Sequence, residues 1–153
     1  MRSAYRVIAS LVALGVFVQA AAIAFGWFDV IHDLDNGTVL DEDFEGNAGH
    51  VIHGMNGMMV MPILGLLLFI SSFFAKFPGA VKWAGFVLLA IVVQVALGIF
   101  AFSLPAVGAL HGANALILLG LAVSAALRAT RAGRANTTTA STTSDETVGA
   151  RAV

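Results

Sequence analysis

Long apolar runs alternate with short charged segments along this chain. Residues 7–28, 50–75, 83–103 and 108–127 contain no Asp, Glu, Lys or Arg, and each run is 20 to 26 residues long. At about 1.5 Å of rise per residue, a helix of that length reaches across the roughly 30 Å core of a bilayer. Strands would leave their backbone groups unsatisfied in lipid, so the pattern predicts four transmembrane helices. Pro62 stands midway along the second run and predicts a kink there.

Composition supports that reading. Hydrophobic residues make up 59% of the 153 positions and charged residues only 11%, against roughly a quarter charged in an ordinary soluble domain. The charges are also sorted. Arg2 and Arg6 precede the first run, Lys76 and Lys82 flank the link between the second and third, and Arg128, Arg131 and Arg134 follow the fourth. The segment between the first two runs carries Asp29, Asp33, Asp35, Asp41, Glu42, Asp43 and Glu45 and no basic residue. The positive-inside rule then puts both termini in the cytoplasm and the acidic loop, residues 29–49, outside. The first run exceeds the apolar core of a signal peptide and is read as a retained span. From residue 135 onward the chain is rich in Thr, Ser and Ala, which predicts a disordered cytoplasmic tail after a bundle over residues 1–134.

A polar pattern recurs inside the apolar runs. His53, Gly54 and Asn56 open the second run, and His111, Gly112 and Asn114 open the fourth. Gln19 and Gln94 each lie nine residues before the outer end of the first and third runs. Gly57 pairs with Ala115. The chain therefore reads as an all-α, integral membrane four-helix bundle built from two repeated helical hairpins, related by an axis along the membrane normal. Both histidines fall about 5 Å below the outer boundary, and the glutamines about 9 Å deeper, by helical rise.

Across such an axis the two imidazoles face each other at one depth. Gly57 falls about 40° around the helix from His53, one turn deeper, and Ala115 stands likewise below His111. An imidazole above a small residue and smooth aliphatic surface is what a flat apolar macrocycle needs, so the residues point to b-type haem with His53 and His111 as axial metal ligands. Gly57, Ala115, Asn56 and Asn114 would line that site. His50 has Gly108 at its repeat position and is expected at the interface, near a haem propionate or the acidic loop. His32, among acidic residues, is expected to be solvated. The rival use of the same residues is purely structural, because His, Asn and small residues also glue membrane helices together.

Other chemistries fit less well. Met55, Met58 and Met59 point away from the His53 face at helical spacing, which argues against a thioether copper site. No charged residue lies inside a span to relay protons or ions, and no hydrolytic constellation is present. The absence of cysteine excludes thiolate chemistry and disulfides. Nothing suggests nucleic-acid binding.

With His at the outer end of its second and fourth helices, the chain resembles one four-helix half of haem A synthase. More loosely it resembles small membrane cytochromes b, and it is similar to small bacterial four-helix membrane proteins. The likeness spans roughly residues 5–130 and is specific at His53, His111 and their neighbours. It implies that those two histidines ligate haem. The synthase family carries a Glu three residues before its second-helix His and an Arg just after it, whereas this chain has His50 and Gly54 there and Glu45 eight residues upstream. The synthase reaction is therefore not implied, only the haem-holding scaffold. The expected function is a haem-binding membrane protein for electron transfer or haem handling near the outer face, alone, as a homo-oligomer or within a larger membrane redox complex. The alternative is a non-enzymatic accessory subunit with no cofactor.

Overall fold

A computed structural model describes the backbone of residues 1–149 and the side chains of residues 1–135. It contains four long helices: α1 (Arg2–Asp35), α2 (Ala48–Ser72), α3 (Ala80–Ala101) and α4 (Val107–Gly149). No strand occurs among the described residues. All four helices are long and apolar enough to cross a membrane. The predicted disordered tail falls on the end of α4 and beyond, outside the residues whose side chains are described.

The helices form a closed ring in which each packs on its chain neighbours and α1 closes against α4. Consequently α2 and α4 stand at opposite corners, as do α1 and α3. Large apolar side chains face outward: Phe17 and Leu116 are 68% and 72% exposed. A water-soluble bundle would bury such residues, whereas lipid accepts them, which suits a bilayer environment.

The buried core occupies one end of the bundle. It is built from small and medium residues, among them Ala9, Val12, Ala84, Val87, Leu118, Ala122 and Ala125, which let helix backbones approach closely. Tyr5 is fully buried there, donating its hydroxyl to the Ala80 carbonyl at 3.2 Å and meeting the Phe77 ring edge-on at 5.1 Å. The basic residues gather at this same end. Arg2 donates to the Ala132 carbonyl at 3.0 Å, and the Arg128 guanidinium lies 4.2 Å from the Trp83 ring centre.

Toward the other end the sealed core stops. No residue of α1 from 17 to 25, of α2 from 50 to 60, of α3 from 92 to 101 or of α4 from 107 to 117 is buried. The inward-facing positions there, including Gln19, His53, Gln94 and His111, are half-buried.

Two local features set the register of this looser region. The turn before Pro62, where a kink is expected, is π-helical over Asn56–Val60. Proline has no N–H to bond the carbonyl four residues back, and widening the preceding turn accommodates that gap. Above it, α1 and α2 cross at Gly26 and Gly49. A Cβ added at Gly49 would meet the Ala22 carbonyl oxygen and the Gly26 backbone nitrogen, so only hydrogen fits between the two backbones.

Candidate functional site: a histidine pair across the bundle

His53 projects from α2 and His111 from α4, and their ring centres stand 6.1 Å apart with the planes at 57°. Two diagonal helices are thus bridged by imidazoles at the looser end of the bundle.

Each ring is held in the same way. His53 Nδ1 lies 3.0 Å from the Gln19 carbonyl oxygen, and His111 Nδ1 lies 3.0 Å from the Gln94 carbonyl oxygen. A carbonyl can only accept, so Nδ1 of each neutral ring carries the proton and donates it. The lone pair is then on Nε2, which has no hydrogen-bond partner among the described residues on either ring. Metal-binding histidines are commonly oriented by such a bond from the other ring nitrogen.

The acceptors revise the sequence-based depths. Gln19 and Gln94 were expected about 9 Å below the histidines, yet their backbone carbonyls touch the rings. Charge-free boundaries are a poor measure of depth, because α1 remains helical to Asp35, well past the end of its apolar run. Carbonyls of a helix also point toward its C-terminus, which on α1 and α3 is the histidine end.

The two asparagines differ. Asn114 donates to the Ala90 carbonyl at 2.9 Å and to Gln94 Oε1 at 2.7 Å. Asn56 makes no such bond. It sits in the π-helical turn and lines a cavity of about 590 Å³ on the outer surface with Leu14, Val51 and Met55. Gln19 correspondingly leaves its Oε1 buried and unpartnered. Its Nε2 fills the notch above Gly57, where an added Cβ would stand 2.5 Å away. Gly57 therefore accommodates the Gln19 amide, and Ala115 packs against the core. Beside His111, Gly98 makes the room: a Cβ there would lie 3.2 Å from His111 Cε1.

His50 has a different setting from the pair. Asn47 caps α2, accepting from the backbone of Gly49 and His50, while His50 Nδ1 faces the Asn47 backbone N–H in return. Asn47 also donates to the Gly26 carbonyl and to Asp29, both at 2.9 Å. The His50 ring packs edge-on against Trp27 at 5.1 Å and Phe44 at 6.1 Å. His50 thus contacts the acidic loop, through Phe44. His32 is exposed beside Asn36. Sequence reasoning missed Asn47, whose signal was an asparagine three residues before His50 at the head of an apolar run.

Met55, Met58 and Met59 are more than half exposed on the outer surface, where they cannot join the histidine pair. Among the described residues no three His, Cys, Asp or Glu side chains gather around one point. Comparison with family models, curated proteins and solved structures finds no match.

Proposed function

We propose that this chain is a membrane-embedded haem-binding protein in which His53 and His111 hold one b-type haem between α2 and α4. The observation that carries the reading is the histidine pair itself. An ion held at about 2 Å by one nitrogen of each ring puts the ring centres about 6 Å apart, since each centre lies about 1 Å behind its nitrogen. The two ring centres stand 6.1 Å apart. Both Nδ1 atoms are engaged by carbonyls, which leaves Nε2 as the ligating atom on each side.

Two protein ligands alone make a poor metal cage. A porphyrin supplies the remaining four nitrogens itself, which suits a site offering only a facing pair. The macrocycle also needs lateral space, and the absence of buried residues at this level of all four helices is consistent with that need. Haem supplies one-electron chemistry when bound. The chain's own residues orient the two imidazoles and fix their tautomers. Electron transfer or haem handling near the outer face is the activity such a site serves.

The matched bonds, His53 to Gln19 and His111 to Gln94, support two hairpins of one design. With the basic residues gathered at the opposite end, the positive-inside rule makes that end cytoplasmic, with the histidine pair near the outer face of the cell membrane.

A second reading rests on the same two bonds. Each ties a histidine to the neighbouring helix, and interhelical glue is a sufficient use for them. The chain would then be an accessory subunit with no cofactor. Absorption spectroscopy separates the two. Protein expressed with ample haem and purified in detergent should show a Soret band and sharp reduced α and β bands. Both His53→Ala and His111→Ala should lose that low-spin signature while remaining monodisperse and helical. A colourless, well-folded protein from haem-replete cells would overturn the haem reading.

A further inference from the structure

At the other end of the bundle, away from the histidines, a small cleft opens between the first turns of α1 and the body of α4. It has a volume of about 80 Å³ and is lined by Arg2, Ser3, Arg6, Ala129, Thr130 and Gly133. We propose that this cleft binds a phosphate group, with the guanidinium groups of Arg2 and Arg6 and the Ser3 hydroxyl as donors.

The charge arrangement is the first argument. Every carboxylate side chain among the described residues lies between Asp29 and Glu45, at the opposite end of α1 or in the loop that follows it. No carboxylate among the described residues neutralises Arg2 or Arg6. Arg6 is exposed and makes no hydrogen bond or ion pair with any described residue.

The state of Arg2 is the second. Its Nη1 is tied to the Ala132 carbonyl at 3.0 Å, which holds the guanidinium against α4. Its Nη2 lies 3.5 Å from the Lys76 carbonyl oxygen, and its Nε is buried with no partner among the described residues. An ionised group with a buried, unsatisfied donor is costly unless something accepts from it. The Ser3 hydroxyl is likewise unpaired among the described residues, whereas Thr130 already donates to the Ala126 carbonyl at 3.0 Å. An anion held between Arg2 and Arg6 would meet the charge of both and accept from the exposed Arg6 guanidinium and Ser3 hydroxyl.

The size and position of the cleft narrow the class. It takes a group the size of a phosphate, and the rest of a larger molecule carrying one would stand outside it. It opens at the basic end of the bundle, where a helix crossing a bilayer would meet the lipid phosphates. Basic pockets between transmembrane helices on this side are suited to anionic head groups. A lipid phosphodiester and free inorganic phosphate share the recognised chemistry, and the test separates them.

Native mass spectrometry of the full chain in detergent gives the readout, with dioctanoyl phosphatidylglycerol, dioctanoyl phosphatidylcholine and inorganic phosphate as probes. Saturable binding of phosphatidylglycerol is expected, weakened about tenfold in Arg6→Gln, as for loss of one charge-assisted contact. Arg131→Gln, outside the cleft, should leave it unchanged. Competition by inorganic phosphate would mean that the phosphate is recognised without its lipid; no competition would mean that the lipid carries it. No saturable binding of phosphatidylglycerol, or binding unaltered in Arg6→Gln, would overturn the proposal. Arg6 is exposed, so its replacement does not disturb packing, and neither result depends on whether the histidine pair holds haem.

Discussion

The imidazole of His53 stands 6.1 Å from that of His111, although α2 and α4 occupy opposite corners of the bundle. Diagonal helices in a packed bundle are separated by the core, and here the core has ended below this level. The pair is therefore a property of the looser end, and its geometry rests on whatever holds each ring.

Gly98 is part of that support. A Cβ at this position would lie 3.2 Å from His111 Cε1 and 3.3 Å from Nδ1. Gly98→Ala asks the ring to give by a few tenths of an ångström, while Gly98→Val places further methyls against it. On the proposed haem reading a graded loss is expected: Gly98→Ala would retain the cofactor with an altered redox potential, and Gly98→Val would lose the bis-histidine spectrum. Circular dichroism should show both variants helical. An unchanged spectrum in Gly98→Val would show that the position of His111 does not matter to the chromophore.

The asparagines at matched positions should behave unequally. Asn114→Ala removes bonds to the Ala90 carbonyl and to Gln94 Oε1, and leaves the Gln94 side chain without that partner. Net losses of roughly 0.5–1.5 kcal/mol per hydrogen bond make a cost of about 1–3 kcal/mol reasonable. Asn56→Ala removes no such bond and should cost less. Thermal unfolding of the two variants in one detergent, compared directly, checks the order. Equal destabilisation would contradict the asymmetry between the hairpins.

The four long helices were readable because a helix able to cross a bilayer must be free of charge along its length, which leaves a run such as residues 83–103 and its counterparts. The paired histidines were readable because polar groups are rare in such runs and these recur in one motif. What stayed hidden was set by the backbone. The acceptors for the two rings are main-chain carbonyls of Gln19 and Gln94, and every residue has one, so no side-chain pattern announces them. The same holds for the close crossing at Gly26 and Gly49: the chain has 16 glycines, and only the packing says which one has no room for a methyl. The repeat pattern also overstated the likeness of the halves, since the π-helical turn before Pro62 gives Asn56 a setting that Asn114 does not share.

Asn47 should prove a strong point of stability at the outer crossing. Its side chain accepts from the Gly49 and His50 backbone and donates to the Gly26 carbonyl and to Asp29. Loss of an N-cap alone costs about 0.5–2 kcal/mol, and Asn47→Ala also breaks the link to α1. A loss of about 2 kcal/mol is expected, measured as a lower unfolding midpoint. Because Asn47 does not touch the histidine pair, the folded variant should keep the parent spectrum.

Glycines of the motif and of the crossing make opposite predictions. At Gly49 a Cβ would stand 2.5 Å from the Gly26 nitrogen and nearer still to the Ala22 carbonyl oxygen. These are backbone atoms of a long helix, which cannot swing aside as a side chain can, so Gly49→Ala must push α1 and α2 apart. Overpacking of this kind costs about 1–3 kcal/mol, and the displaced crossing also strains the Asn47 bonds to α1. At Gly112, directly after His111, an added Cβ meets nothing within 4 Å. Relief of glycine's conformational freedom in a helix favours alanine by roughly 0.5–1 kcal/mol, so Gly112→Ala should be neutral or slightly stabilising and should leave the histidine pair untouched. Unfolding midpoints for the two variants therefore move in opposite directions or differ by several degrees. If Gly112→Ala proved the more damaging change, the glycine of the repeated triplet would have a role beyond helix packing, and the open space beside it would be where to look for that role.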